Sequence, residues 1–391
     1  MPETSFIPTS PAVRKRALDL HYDSFVFDYL PLEPFVMSPA MQAAMESKLE
    51  DSTDPGVVLR AMADRRNVEL ERDPAVRDKV GKAWRVSGVN GFQCTLGAYD
   101  LAHKWDGLLR DAAHWRRRAA AGGDMEVCTT ACELLQAHSE NKVGVLFGTQ
   151  DCAQIGDDLD RLTWCYDAGV RVMQLTYNTR NLIGEGCMEP TQAGLSRFGI
   201  QVVKRMNELG IIVDVAHCGS GTTIDAIRHS ERPIAITHSS CAAIVPHPRA
   251  KTDEQLHMLA ERDGYLGIDT VPFFIAPKGH ACTLDTLADH IEHAVKILGP
   301  QRVGIGTDWG AWTPDFPVEL KAATHRKLAL GHGATKREIP DFTDEIKVVG
   351  FGQWEDWPNI TIKLVERGFD DVLIRGLLGG NWISFLQRSG L

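Results

Sequence analysis

Eight short runs rich in β-branched and other apolar residues recur along this chain, separated by longer stretches with helical periodicity. The predicted strands are residues 17–23, 89–96, 143–150, 170–177, 211–217, 233–239, 264–271 and 303–309. Strands that alternate with helices form parallel sheets, and eight such units close into a barrel. The pattern therefore predicts an α/β fold, a (β/α)8 TIM barrel with strands between about residues 17 and 309.

The connections predict one domain rather than two. The first crossover, residues 24–88, is long and interrupted by prolines, so we expect it to lie partly over one end of the barrel. Residues 310–391 combine loop-rich sequence with two short helical segments, NITIKLVERG and DVLIRGLLGGNWISFLQRSG. We expect this helical C-terminal extension to close the barrel, so that residues 1–391 form a single domain.

Charge and cysteine content narrow the function classes. The chain holds 52 acidic and 42 basic side chains, a net charge of −10 that disfavours binding to nucleic acid or to an anionic membrane surface. Nine scattered cysteines do not resemble a disulfide framework, and no apolar run reaches the roughly 18 residues that a membrane span needs. These features favour a cytoplasmic enzyme that acts on a small molecule, with a homodimer as the commonest assembly.

Polar side chains occupy the carboxyl ends of the predicted strands, where barrel enzymes place their active sites. In an extended strand residues i and i+2 point to the same side, so His21 and Asp23 can converge on one point. A single histidine of this kind is more often a hydrogen-bonded core residue, but several buried acids and imidazoles are costly unless they are paired or metal-bound. Imidazole and carboxylate are the usual ligands of zinc and similar divalent ions, so the set predicts a metal site. The polar strand ends are His21, Asp23, Gln150, Tyr177, His217, His238 and Asp308.

Five segments carry a family pattern: LHYD, LTYNTRNLIGEGC, GLSRFGIQVVKRMNELGIIVDVAH, ITHSSCAAIVPHPRAKTDE and VGIGTDW. Together they resemble the membrane dipeptidase (renal dipeptidase) family of the amidohydrolase superfamily. The resemblance runs from about residue 17 to the C-terminus. His238 follows His217 by 21 residues and precedes Arg249 by 11, which fits the family pattern without a gap.

The resemblance implies the roles of the metal site. Family members hydrolyse dipeptides by attack of a metal-bound hydroxide, with zinc as the usual ion. By this resemblance His21, Asp23 and Asp308 hold one metal, and His217 and His238 hold a second. Asp308 also takes the proton of the attacking water and passes it to the leaving amine.

Two further residues are implied to face the substrate. Arg249 matches the family arginine that pairs with the substrate's α-carboxylate, a role that suits the planar guanidinium. The alternative for Arg249 is a surface residue in a polar loop. Tyr177 stands where the type enzymes carry a histidine that stabilises the tetrahedral intermediate, and a phenol can donate the same hydrogen bond.

Gln150 departs from the family pattern. The family has a glutamate there that bridges both metals, whereas an amide is neutral and a weak ligand through one oxygen. The neighbouring Asp151 can substitute only if the strand has already turned into a loop, because strand alternation otherwise directs it away. We therefore expect one tight metal site and a weak or absent second one.

Three functions remain in competition. The first is a metal-dependent hydrolase of a dipeptide or small amide with a free carboxylate. The second is a non-peptidase hydrolase or lyase that uses the same metal on another small metabolite, which the fold alone does not exclude. The third is a catalytically silent binding protein that has lost its bridging acid.

Overall fold

In the part of the chain that the structure describes, nine parallel strands build one sheet, and eight of them follow one another around a barrel. The computed structural model describes residues 6–31, 33–34, 38–51, 55–97, 104–277, 279–308 and 348–391. The strands are β1 (Phe27–Tyr29), β2 (Gly91–Thr95), β3 (Met125–Cys128), β4 (Val143–Thr149), β5 (Val170–Gln174), β6 (Ile212–Asp214), β7 (Ala235–Ser239), β8 (Tyr265–Ile268) and β9 (Val303–Ile305). Their order is β1-β2-β4-β5-β6-β7-β8-β9, with β3 paired to β4 beside this path. The predicted (β/α)8 barrel is confirmed.

Helices connect the strands and surround the sheet. In the described ranges they are α1 (Pro11–Tyr22), α2 (Pro39–Asp51), α3 (Pro55–Arg72), α4 (Pro74–Ser87), α5 (Lys104–Gly122), α6 (Ala131–Ser139), α7 (Asp160–Asp167), α8 (Arg197–Leu209), α9 (Ser220–His229), α10 (Asp253–Glu261), α11 (Pro272–Ile275), α12 (Leu284–Leu298), α13 (Trp357–Glu366), α14 (Asp371–Arg375) and α15 (Asn381–Arg388). The long first crossover consists of α2, α3 and α4, each of which begins with a proline. Proline suits a first helical position because its missing N–H has no intrahelical partner there. None of the helices in the described ranges has the length and apolar composition of a bilayer span.

The strand predicted over residues 17–23 is wrong. These residues belong to α1, whose start is set by Ser10, since its hydroxyl accepts a hydrogen bond from the Val13 amide at 3.3 Å, and by Pro11 at the first turn. The buried side chains of α1 are Ala17, Leu20 and His21. Their spacing is that of one helix face, so the apparent alternation in ALDLHYD was a coincidence of a helical pattern. The first strand lies further along the chain, at β1.

The other seven predicted strands lie where β2 and β4 to β9 form. The four-residue β3 was missed because it is too short to show an alternating pattern. The loop-rich part of the predicted C-terminal extension, residues 310–347, lies outside the described residues.

The barrel interior is filled by aromatic side chains, and the C-terminal helix contributes to it. The ring of Trp382 on α15 lies 4.6 Å from that of Tyr29 and 5.2 Å from that of Tyr265, measured between centroids. Asn381 donates to the carbonyls of Pro300 and Val303, both at 2.7 Å. These carbonyls lie at the amino end of β9, so α15 covers the end of the barrel opposite the strand carboxyl ends. The latter end is called the mouth below.

Asp28 ties the first strand to the last. Its buried carboxylate accepts hydrogen bonds from the Thr307 amide and hydroxyl, each at 2.8 Å, and from the Trp357 indole at 3.2 Å. The Asp308 amide next to it donates to the Tyr29 carbonyl at 3.2 Å. These bonds join β1 to the segment after β9 and position Asp308 at the mouth.

We expect Asp28→Ala to lower the free energy of unfolding by about 3 kcal/mol or more, because it leaves three buried donors without an acceptor. Urea denaturation measures the change. The matched control is Asp23→Ala, which removes an exposed carboxylate 2.8 Å from Arg375 and should cost under about 1 kcal/mol. Equal losses in the two variants would show that Asp28 does not stabilise the junction between β1 and the segment after β9.

Candidate metal centre

Three potential ligands meet at the mouth of the barrel. His217 follows β6, His238 lies in β7 and Asp308 follows β9, and one ligand atom from each lies within 4.8 Å of those of the others. Both histidines are buried, whereas Asp308 is partly exposed. The backbone of Asp308 has φ of 47°, in the left-handed region that non-glycine residues rarely adopt and that is commoner at functional sites.

Hydrogen bonds fix the orientation of both imidazoles. The Nδ1 of His217 donates to Asn178 Oδ1 at 2.7 Å. The Nδ1 of His238 lies 2.8 Å from the Thr237 hydroxyl, which donates its own proton to Asp214 at 2.6 Å and therefore accepts from the imidazole. Each ring thus carries its proton on Nδ1, and each Nε2 presents a lone pair.

The two Nε2 lone pairs face each other at 3.0 Å. Two lone pairs at that distance repel unless a cation lies between them, and metal-bound histidines are held by a second hydrogen bond in this same way. Burial lowers the pKa of His238 well below its usual value, so the ring stays neutral as a ligand must be. With the carboxylate of Asp308, the residues fit a divalent cation.

Gln150 contacts this group as a hydrogen-bond donor. Its side chain, at the carboxyl end of β4, donates to the Asp308 carboxylate. Burial raises the pKa of Asp308 to about 6, and the charge of Arg249 and this hydrogen bond from Gln150 oppose the shift. The neighbouring Asp151 is engaged elsewhere: it pairs with Lys104 and accepts from the Asn181 amide at 2.9 Å.

Tyr177 and Arg249 border the same site. The Tyr177 ring stacks on His217 with centroids 4.2 Å apart, and burial raises the pKa of its phenol. Arg249 is fully buried, which excludes the surface-loop alternative. Its guanidinium donates to the carbonyls of Ala216 and, at 3.1 Å, His238, while its Nε has no acceptor among the described residues. Within those residues no carboxylate lies in ion-pair distance of this cation, so an anionic partner is missing.

The structure does not bring His21 and Asp23 to the site. Both ring nitrogens of His21 are occupied, by the Thr361 hydroxyl and the Ser87 carbonyl, each at 2.8 Å. Asp23 ends α1 and pairs with Arg375 in solvent. The expectation that they hold a metal rested on a strand that is in fact a helix, and it is corrected here.

The true first strand offers no replacement for them. The residues after β1 are Leu30, Pro31, Leu32 and Glu33. Leu30 is buried, and Glu33 is buried with its nearest charged partner at Arg118, 3.8 Å away. Among the described residues that directly follow β1, the buried Leu30 therefore offers no ligand atom to a metal.

Sequence reasoning missed Asp269 and the residues that orient the histidines. Asp269 directly follows β8 and is fully buried beside Arg249 and Asp308. The criterion of polar residues at strand ends, applied to the run 264–271, selects it. No local pattern marks Asn178 or Thr237 as partners of an imidazole.

Comparisons with known proteins bear on the family of the chain and on its fold. A family model described as membrane dipeptidase (peptidase family M19) matches residues 103–329. The Dipeptidase verJ of Clonostachys rogersoniana is 32% identical over 255 residues, which cover 64% of this chain and 57% of that protein. The chain thus aligns with little more than half the length of this relative.

Solved structures share the fold. An amidohydrolase from Pseudomonas aeruginosa superposes with a TM-score of 0.71 at 24% identity, covering 95% of this chain and 98% of that one. A metallo peptidase from Rhodobacter sphaeroides, liganded with a phosphinate mimic of the dipeptide L-Ala-D-Ala, superposes with a TM-score of 0.66 at 22% identity, covering 83% and 96%. Since the family model covers more than half of its residues, the chain belongs to the membrane dipeptidase family, M19.

Proposed function

We propose that this protein is a one-metal hydrolase that cleaves a dipeptide or small amide with a free carboxylate. The observation that carries the proposal is the pair of facing Nε2 lone pairs of His217 and His238 beside the Asp308 carboxylate. The buried Arg249, which has no anionic partner among the described residues, lies at the same mouth. Relatives named as dipeptidases support the reaction class.

His217, His238 and Asp308 would hold the ion, with zinc as the first expectation for two nitrogens and one oxygen. A divalent ion at such a site polarises a carbonyl and lowers the pKa of water. Among the described residues His217, His238 and Asp308 form the one group of potential ligands, and Gln150 is a neutral donor to Asp308, so a second ion finds no ligand set there.

The protein's own side chains account for proton transfer and charge stabilisation. Asp308, with a pKa raised to about 6 by burial, is suited to accept a proton from the attacking water and to return it to the leaving amine. Burial keeps the Tyr177 phenol protonated at neutral pH, so it can donate a hydrogen bond to the oxygen on which negative charge develops. Arg249 presents its guanidinium to the substrate's carboxylate.

A catalytically silent binding protein is the second candidate. Gln150 favours it, because a neutral amide stands where the family pattern has a bridging acid. Hydrolysis of a dipeptide panel that includes a D-residue at the C-terminal position separates the two candidates.

We expect purified protein to contain at most one equivalent of divalent metal per chain by elemental analysis. His217→Ala and His238→Ala should lose it, because each removes one of the two facing nitrogens. Asp23→Ala should keep all of it, since Asp23 lies in solvent beside Arg375. Two tightly bound equivalents in the wild type, or metal loss in Asp23→Ala, would contradict this assignment.

We expect Arg249→Ala to weaken turnover of substrates with a free carboxylate by roughly 2–5 kcal/mol, the range for truncating one partner of a desolvated charged pair. The matched substrate with an amidated carboxylate should be poor already and lose little more. Because Arg249 also binds two backbone carbonyls, metal content and the unfolding midpoint must be unchanged for the comparison to count. Equal losses for both substrates would leave Arg249 only a role in shaping the loop.

A further inference from the structure

Asp269 points into the mouth of the barrel. The Thr270 amide donates to the Thr307 carbonyl at 3.1 Å, so the extended pairing of β8 with the β9 segment continues past Ile268. In an extended strand residues at even spacing share a face. Tyr265 packs its ring inside the barrel against Trp382, and Asp269 lies four residues on. Its side chain therefore faces the interior at the level of the metal centre.

The Asp269 carboxylate is buried without a satisfying partner. It is 0% exposed, and neither oxygen has a hydrogen bond of good geometry among the described residues, although the Val271 amide points towards it. Burial raises the pKa of Asp269 to about 7. A buried carboxylate in this state is costly, and a native protein rarely keeps one that has no function.

The charges around Asp269 indicate which kind of group it could bind. Arg249 attracts the carboxylate and Asp308 repels it, so all three charged groups lie close to one another. Arg249 and Asp269 nevertheless do not approach within the 4.0 Å of an ion pair. Among the described residues, the guanidinium Nε of Arg249 and both carboxylate oxygens of Asp269 lack a hydrogen-bond partner.

Asp269 is not a fourth metal ligand of the centre. The potential ligand atoms within 4.8 Å of one another belong to His217, His238 and Asp308, and Asp269 is absent from that group. Its position beside Arg249 and away from the facing imidazoles is that of a group that contacts the substrate.

We propose that Asp269 is a specificity-determining residue that binds a substrate ammonium group, so that Arg249 and Asp269 together select a zwitterionic substrate. This inference rests on the proposed function and names its substrate class: a molecule with a free carboxylate and a free amine, such as an unblocked dipeptide. An anion opposite Arg249 and a cation opposite Asp269 satisfy both orphaned groups with charge-assisted hydrogen bonds.

The test compares Asp269→Asn with wild type on an unblocked dipeptide and on its N-acetyl form. The amide has the same shape but cannot pair with a cation. We expect kcat/KM for the unblocked dipeptide to fall by roughly 30-fold or more, the size of a lost buried charge pair. For the N-acetyl form the change should stay below about threefold, because it has no ammonium to lose. Equal falls on both substrates, or none on the unblocked one, would overturn the assignment.

A matched control and a second variant protect this comparison. Asp263→Asn removes an exposed carboxylate that pairs with Arg302 just before β8 and should leave both substrates unaffected. Asp269→Ser provides a second neutral side chain if the amide disturbs folding. Metal content and the unfolding midpoint of each variant are measured alongside.

A binding measurement separates failure of this inference from failure of the proposed function. Calorimetry on the metal-loaded protein compares 5-aminopentanoate, in which the ammonium and the carboxylate have the spacing of a dipeptide, with pentanoate, which lacks the ammonium. Wild type should prefer 5-aminopentanoate and Asp269→Asn should lose that preference, whether or not any dipeptide is hydrolysed. If wild type hydrolyses no dipeptide but shows this preference, the proposed function fails and Asp269 keeps its role. Binding without preference in wild type, or preference unchanged in the variant, overturns the inference.

Discussion

The site depends on two imidazole lone pairs that are forced to face each other at 3.0 Å. Nothing within the pair is attractive, so the arrangement persists because the surrounding bonds fix both rings. Asp214, itself held by the Ala216 and Thr237 amides, accepts a hydrogen bond from the Thr237 hydroxyl, so that this hydroxyl accepts from His238. Asn178 orients His217 in the same way, and together these bonds make the two neutral rings a preorganised site for a cation.

The chemistry of the side chains differs from one part of the barrel mouth to another. The sector from β6 to β9 carries the imidazoles, both aspartates and Arg249, whereas Leu30 follows β1 and the amide Gln150 follows β4. An amide that donates to Asp308 orients the carboxylate but adds no negative charge, so it cannot hold two dications together. The difference changes the stoichiometry of the centre without changing the fold, because these side chains project from the same strand ends whatever their chemistry.

Arg249 links substrate recognition to the metal centre through the backbone. Its guanidinium donates to the carbonyl of Ala216, one residue before His217, and to the carbonyl of His238. A carboxylate bound to Arg249 is therefore held at a fixed position relative to both imidazoles. Because Asp269 lies nearby, Arg249 can recognise a substrate together with a carboxylate, which a lone surface arginine cannot do.

How much of the fold and of the site could be predicted from the sequence depends on whether each interaction is local or joins distant parts of the chain. Periodicity is local, so it located seven of the eight strands on the barrel path. It failed at residues 17–23, where about two helical turns imitate alternation and a serine–proline cap is the deciding signal. The residue type at 150 already excluded a bridging carboxylate.

Tertiary structure alone decided which polar groups meet. His21 has the right chemistry for a ligand, but both its nitrogens are bonded to Thr361 and Ser87, the former 340 residues away along the chain. No local pattern singled out Asp269, yet closure of the barrel buries it beside Arg249. Sequence by itself determined the barrel and its candidate ligands, because those depend on local periodicity and residue type. Which charged groups lie next to one another at the mouth depends on strand order and burial, and these exist only in the folded chain.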